Sequence, residues 1–139
     1  MNEGIIEKSL NLIKKVDSLV LSTIDYEGYP NTKAMLKLEN KNFDYFYLST
    51  NTSSTKVKHI IRNPKATVYF YDEKNFIGLE LIGKIVIIND EIIKSKLWKE
   101  EFKIFYKEGK DDPDYCILKF IPEKGNYYEN LKNYDFKLR

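Results

Sequence analysis

The sequence predicts a mainly β (α+β) fold: an antiparallel split β-barrel of six to seven strands with peripheral helices. Three features lead there. Short segments rich in β-branched and aromatic residues follow one another in hairpin order, with turn residues between them. Few stretches carry helical spacing, and strands separate them. One long apolar segment, 76–89, holds Gly78 and Gly83 in its interior, which suggests a bulge, a bend at a barrel corner or a close approach by a ligand. Many hairpin strands with few helices bury their apolar faces best by curling into a barrel.

Each element has its own local reason. Residues 3–16 are expected to be helical, because Ile6, Leu10, Ile13 and Val16 recur at helical spacing with charges between them. Residues 18–25 form a first strand. Tyr26-Glu27-Gly28-Tyr29 turns it, with Gly28 at a left-handed position. Residues 31–39 pair back, and polar residues 39–42 lead into a third strand, 43–50. A short helix, 54–62, carries Val57, Ile60 and Ile61 on one face and stops at Asn63-Pro64, since proline disfavours a helical residue before it. Residues 65–72 are a strand of β-branched and aromatic residues, turned by Glu73-Lys74-Asn75 into the long strand 76–89. Asp90 caps another helix, whose Ile93, Leu97 and Trp98 face inward. Residues 99–113 hold a second helical piece and a loop. Residues 115–121 are a strand that Pro122 breaks, with short final strands at 126–129 and 135–138.

At 139 residues the chain is read as one domain, 1–139, large enough to bury a core without staples. Apolar residues make up 42% and charged residues 32%, as in ordinary globular proteins. Formal net charge is +2, so there is no field suited to a nucleic-acid backbone, and no nucleic-acid partner is expected. The longest wholly apolar run, Ile85-Val86-Ile87-Ile88, is far short of a membrane span, and residues 1–8 lack the layout of a signal peptide. With the single Cys116, which allows no intrachain disulfide, these features point to a cytoplasmic protein without a membrane partner.

The stretch Phe46 to Pro64 carries the clearest chemistry. A strand runs into the hydroxyl-rich turn Ser49-Thr50-Asn51-Thr52-Ser53-Ser54-Thr55, and a helix follows with Lys56 in its first turn. The N–H groups of a helix N-terminus carry partial positive charge and suit a phosphate. Ser54 is the expected N-cap, with Thr52 and Ser53 as alternatives. A hydroxyl run before a helix is more often a cap than an anion site, so both readings stand on this stretch alone.

The order of motifs resembles the flavin-binding split-barrel proteins related to pyridoxamine 5'-phosphate oxidase, in particular the small bacterial general stress protein 26 branch. The matching pieces are Gly28-Tyr29-Pro30; Thr32-Lys33-Ala34-Met35; Leu48-Ser49-Thr50-Asn51 through Ser54-Thr55-Lys56-Val57; Arg62-Asn63-Pro64; Ile82-Gly83-Lys84; Leu97-Trp98; and Gly109 through Asp114. They cover nearly the whole chain. The resemblance implies a homodimer with two molecules of flavin mononucleotide (FMN) at the subunit interface. Lys33 and Ser54-Thr55-Lys56 would then hold the phosphate. Ser49 and Thr50 would lie beside the flavin, backbone around Ala34, Met35 and Leu36 would border the ring, and the partner would bring the long strand and Trp98. A small-molecule substrate or electron acceptor is implied as well.

The sequence also departs from that pattern. Most relatives carry arginine where Lys33 stands, and lysine keeps the charge but loses the bidentate fork. The oxidase has a basic residue at the place of Thr55 and a glutamine at the place of Gly78. Its longer C-terminal part, with a Trp and an Arg for substrate, has no counterpart here, so pyridoxamine phosphate oxidation itself is not expected.

The remaining candidates have plainer explanations. His59, the single histidine, is expected to be solvent-facing or half-exposed; a haem ligand is the remote alternative. Cys116 sits in an apolar run and is expected to be a buried structural thiol. Asp111-Asp112-Pro113-Asp114 lacks calcium-loop spacing and is expected to be a turn. The expected function is an FMN-dependent oxidoreductase. The alternatives are a non-catalytic flavin- or phospholigand-binding stress or sensor module, a haem-binding barrel, and a nitroimidazole-type reductase or deazaflavin user.

Overall fold

The computed structural model describes residues 3–139; Met1 and Asn2, at the start of the segment read for a leader, lie outside the described residues. The order is α1 (Glu3–Lys15), β1 (Ser18–Ile24), β2 (Pro30–Lys41), β3 (Tyr45–Asn51), α2 (Thr55–Arg62), β4 (Lys65–Asp72), β5 (Ile77–Ile88), α3 (Glu91–Leu97), β6 (Tyr115–Glu129) and β7 (Lys132–Lys137). Two 3₁₀ turns, Glu100–Ile104 and Gly109–Asp111, join α3 to β6. The strands pair in the order β3-β2-β1-β4-β5-β6-β7, all antiparallel, and β3 also pairs with β6. That extra pairing closes six strands into a barrel and leaves β7 as an added strand. Among the described residues no helix is long and apolar enough to cross a membrane.

Alternation fills the barrel. Leu19, Leu21 and Thr23 of β1, Ala66, Val68 and Phe70 of β4, and Phe46 and Leu48 of β3 are buried, while their neighbours face outward or are only partly covered, except Tyr47, which is buried on the outer side of β3. The run Tyr115-Cys116-Ile117-Leu118 is buried on both faces. Cys116, Leu118 and Phe120 join the main core; Tyr115 and Ile117 join a second cluster with Tyr47, Leu97, Phe102 and Tyr106. A strand covered on both sides reads as a continuous apolar run for this reason. Cys116 is therefore a packed thiol, and burial pushes its pKa up.

The buried face of α1 differs from the expected one. Ile5, Ser9, Leu12 and Ile13 are buried, and Ile6, Leu10 and Val16 pack only partly. Ser9 goes inside because its hydroxyl donates to the carbonyl of Ile5 at 2.7 Å, which satisfies it locally. Lys37 of β2 caps the far end of this helix by donating to the carbonyl of Ile13 at 2.5 Å.

Pro122 does not break β6. The strand runs 15 residues through it. Register slips there: Ile82 faces Lys124 while Gly83 faces Pro122, so Glu123 is an extra, bulged residue. The missing N–H of Pro122 costs no ladder bond at such a place. The carbonyl of Glu123 accepts from Leu138 at 2.9 Å, and Arg139 reaches the carbonyls of Pro122 and Asp44. On the N-terminal side of the bulge β6 pairs with β3, and on the C-terminal side with β7. Gly83 is required opposite the bulge, because a Cβ there would lie 2.1 Å from the carbonyl oxygen of Ile121.

Backbone atoms cannot swing aside as a side-chain tip can. Gly83→Ala should therefore lose about 2–3 kcal/mol of stability, the upper part of the range for overpacking, as a lowered urea midpoint. A midpoint within error of the wild type would show that the bulge is soft.

Candidate functional site

The chain leaves β3 at Asn51 and enters α2 at Thr55, and Asp114 fastens the turn between them. Its carboxylate accepts from Asn51 Nδ2 at 2.7 Å, from the Ser53 amide at 2.8 Å and from Ser53 Oγ at 3.1 Å. The Thr52 amide donates to the carbonyl of Asp114 at 2.8 Å, and the Thr52 hydroxyl to that of Pro113 at 3.2 Å. These bonds hold the Asp114 carboxyl below the usual carboxylate range. Asp112, buried behind it, accepts from the Glu108 and Asp114 amides. The acidic loop is thus a staple, and among the described residues no group of His, Cys, Asp and Glu could hold a metal ion.

Thr52 and Ser53 are consumed by that staple; Ser54 is not. It stands at the N-cap position with extended backbone, yet its side chain makes no capping bond. It takes part in a directed relay instead. Lys56 Nζ donates to Thr50 Oγ1 at 3.0 Å, and Thr50 Oγ1 donates to Ser54 Oγ at 3.4 Å. An ammonium can only donate, so Thr50 must accept from it and pass its own hydrogen on. The hydroxyl hydrogen of Ser54 is then left to donate outward.

Outward is a cavity of about 250 Å³ at the barrel mouth, lined by Leu21, Thr23, Asn31, Lys33, Ser54, Thr55, Lys56 and His59. β2 supplies Lys33 by its alternation. Asn31, Lys33 and Met35 share one face, on which Met35 is buried in the core while Asn31 and Lys33 line the mouth. Ala34 and Leu36 lie on the opposite, exposed face. Burial, and then the charge of Lys33, hold the pKa of Lys56 below its ordinary value. Among the described residues neither lysine forms an ion pair. The nearby carboxylate of Asp25 is already engaged by the Glu27 and Tyr29 amides and by Asn31 Nδ2. Two ammonium groups, a donor hydroxyl and a helix N-terminus with no facing acid are a donor set for an anion such as a phosphate.

The structure brings Lys33, Thr50, Ser54, Thr55 and Lys56 together around this mouth. Ser49 points the other way, and its hydroxyl bonds that of Tyr106 in the second cluster. Trp98 lies in the same cluster, with its ring 5.7 Å from Phe102, 6.1 Å from Tyr106 and 5.2 Å from Tyr115; within one chain it does not line the cavity. Sequence reasoning did not place His59, Asn31 and Thr23 at the mouth. His59 is half-buried as expected, and its Nδ1 lies 2.9 Å from Thr23 Oγ1. Its spacing of three from Lys56 puts both on one helix face, the signal that could have found it.

A closed antiparallel barrel with a lysine-lined mouth between a strand hairpin and a short helix defines a split-barrel fold. The family model described as pyridoxamine 5'-phosphate oxidase like matches residues 5–137, and the chain belongs to that family. A solved structure from Clostridium acetobutylicum is 40% identical, covers 99% of this chain and 97% of its own, and superposes with a TM-score of 0.91. It is described as related to general stress protein 26 of Bacillus subtilis and as of the pyridoxinephosphate oxidase family. General stress protein 26 of Bacillus subtilis itself is 32% identical over 80 residues, 55% of this chain and 56% of that protein. Pyridoxine/pyridoxamine 5'-phosphate oxidase of Legionella pneumophila is 36% identical over 76 residues, 53% of this chain; the match spans only 34% of the oxidase.

Ser54 and Asp114 should separate on mutation. Ser54→Ala should leave stability within about 0.5 kcal/mol of wild type, where loss of a working cap would cost about 1 kcal/mol. Asp114→Ala should cost about 1–3 kcal/mol, because it strips the turn of several charge-assisted bonds. Urea denaturation of the two variants reads both values, and equal losses would contradict the division of roles.

Proposed function

We propose that the protein is an FMN-binding flavoprotein that works as a homodimer, and that it is an oxidoreductase acting on a small-molecule acceptor. The observation that carries the reading is the relay Lys56–Thr50–Ser54 beside Lys33, which directs positive charge and a hydroxyl donor into one cavity without a facing acid. A phosphate monoester meets those requirements, carrying up to two charges and three acceptor oxygens. Family membership makes a flavin nucleotide the natural bearer of that phosphate.

FMN, when bound, would supply hydride and electron transfer; the chain supplies binding, orientation and electrostatics. Lys33 and Lys56 would neutralise the phosphate, and Ser54 and Thr55 would fix its oxygens. The edge of β2 before Lys37 lies outside its pairing with β3, which starts at Lys37↔Leu48. The backbone of Ala34, Met35 and Leu36 therefore has an unladdered side that could meet the edge of a flat ring.

The second copy would cover the exposed aromatic face carried by β4, β5 and β6. Tyr69 and Tyr71 stack there with ring centroids 6.0 Å apart, and Phe76 meets Tyr128 edge-on at 6.1 Å. Together with Gly78 they line a cleft of about 370 Å³, and Phe76 is 73% exposed. Exposed aromatic groups of this kind are what subunit interfaces cover.

Purified protein loaded with FMN and desalted should keep the visible bands of bound flavin at about one flavin per chain. Lys33→Ala with Lys56→Ala should weaken FMN at least about tenfold, since two charge-assisted contacts are lost. Unchanged affinity in the double variant would remove the phosphate site. Oxidation of reduced flavin that depends on an added acceptor would favour the enzyme; binding without turnover would favour the sensor module. Tyr71→Glu with Phe76→Glu should convert the dimer to monomer in light scattering, and a persisting dimer would place the interface elsewhere.

A further inference from the structure

His59 sits at the anion cavity without a role in the reading above. Its Nδ1 is held by Thr23 Oγ1 at 2.9 Å, and its ring lines the same mouth as Lys33, Ser54 and Lys56. Thr23 is 2% exposed, so this bond fixes the ring from inside the barrel. A threonine hydroxyl can donate or accept, so it holds the ring whether the imidazole is neutral or charged. With Nδ1 occupied, Nε2 is the ring's remaining polar atom; among the described residues no hydrogen bond to it is found. We propose that His59 is a third cationic group of this cavity, recruited by protonation, so that ligand phosphate is bound more tightly as pH falls through the histidine range. The proposal rests on the reading of the cavity as a phosphate site.

The surrounding charges explain why a ligand would be needed to draw the proton in. From β2, Lys33 faces the ring; on its own helix Lys56 precedes it by three residues, with Lys58 beside it and Arg62 placed over the ring of Tyr26. These cations oppose an imidazolium. From the turn after β1 comes Asp25, whose ionised form a charged His59 favours. Its oxygens are engaged in the hairpin turn, so it offers His59 charge but no direct bond. A phosphate in the cavity reverses the balance: its charge offsets both lysines and gives Nε2–H an acceptor. Binding would then take up a proton.

The test compares FMN and riboflavin, which lacks the phosphate, by quenching of flavin fluorescence between about pH 8 and pH 6, a window set by the imidazole. The proteins are wild type, His59→Asn, which retains a polar group near Thr23, and His59→Gln, which can place a neutral donor near Nε2. The phosphate's own second ionisation lies near pH 6 but acts equally on all three, so affinities are read as variant-to-wild-type ratios. For FMN the ratio of dissociation constants should grow about fivefold from the high to the low end for both variants, the difference between a charged and a neutral hydrogen bond. For riboflavin it should stay flat. A flat FMN ratio with FMN still bound far more tightly than riboflavin overturns the role of His59 and leaves the phosphate cavity standing. FMN bound no more tightly than riboflavin by any of the three overturns the cavity reading and this proposal with it.

Discussion

Closure of the barrel by β3 against β6 is the constraint from which the candidate site follows. Six residue pairs, Phe46↔Phe120 through Asn51↔Tyr115, fix that register. Its last pair sets Asn51 opposite Tyr115 and so brings Asp114, the residue before Tyr115, against the turn that follows Asn51. The staple to Asn51, Thr52 and Ser53 is thus a consequence of the ladder and not a separate device. Since the side-chain period of a strand is two, a slip of one residue would turn Thr50 outward and bury Ser49 in its place. It would also move Asp114 away from Ser53 and dissolve the relay from Lys56. Core packing enforces the register, because Phe46, Leu48, Leu118 and Phe120 must all point into the barrel.

The electrostatic character of the mouth follows from what the fold keeps away. The chain as a whole is nearly balanced, with 23 basic and 21 acidic residues. Local imbalance at the cavity arises because its acids are committed elsewhere: Asp25 to the β1–β2 turn and Asp114 to the β3–α2 turn. Lys56 is partly desolvated and lies near Lys33, and both effects disfavour its charge. Holding a cation under such conditions costs stability, and an anion that enters would recover it. This is the pattern expected where electrostatics serve a ligand before they serve the fold.

Much of this architecture was legible in the residues. Alternation and turn chemistry located all of the first five strands within a few residues, and the bounds of β4 agree at both ends. Gly78 and Gly83 point to a bulge, a barrel corner or a close approach by a ligand, and the register slip lies between Ile82 and Gly83. Pro122 misled because a proline within a strand normally ends it; what rescues it is the bulge on its own strand, a tertiary fact that no local rule contains. The face of α1 was misjudged because Ser9 looks polar in sequence and is made effectively apolar by its bond to Ile5. At the site, the residue types of the turn were clear, but not their division of labour. Four adjacent hydroxyl-bearing residues, Thr52 to Thr55, are indistinguishable as candidate caps or ligands until Asp114, some sixty positions away, removes two of them. His59 could have been assigned from its spacing to Lys56, but its contact with Thr23 depends on α2 packing over β1.

The second aromatic cluster gives Ser49 and Trp98 a meaning different from that of the cavity residues. Tyr106 and Tyr115 lie behind β3 and β6, with ring centroids 5.0 Å apart, and burial pushes the Tyr115 hydroxyl up to about 12. That hydroxyl donates to the carbonyl of Lys94 at 2.9 Å and thereby ties α3 to the barrel wall. Trp98 completes the packing at the end of α3, and Tyr106 holds Ser49 on the outer side of β3. Both faces of the β3–β6 ladder are therefore braced: the main core from inside, this cluster from outside. An effect of Trp98 on a ligand in its own chain would have to pass through the brace and the ladder to Thr50. A direct contact would require another copy of the chain. Only the direct contact would depend on dimer assembly, so the two routes part company in a monomeric variant.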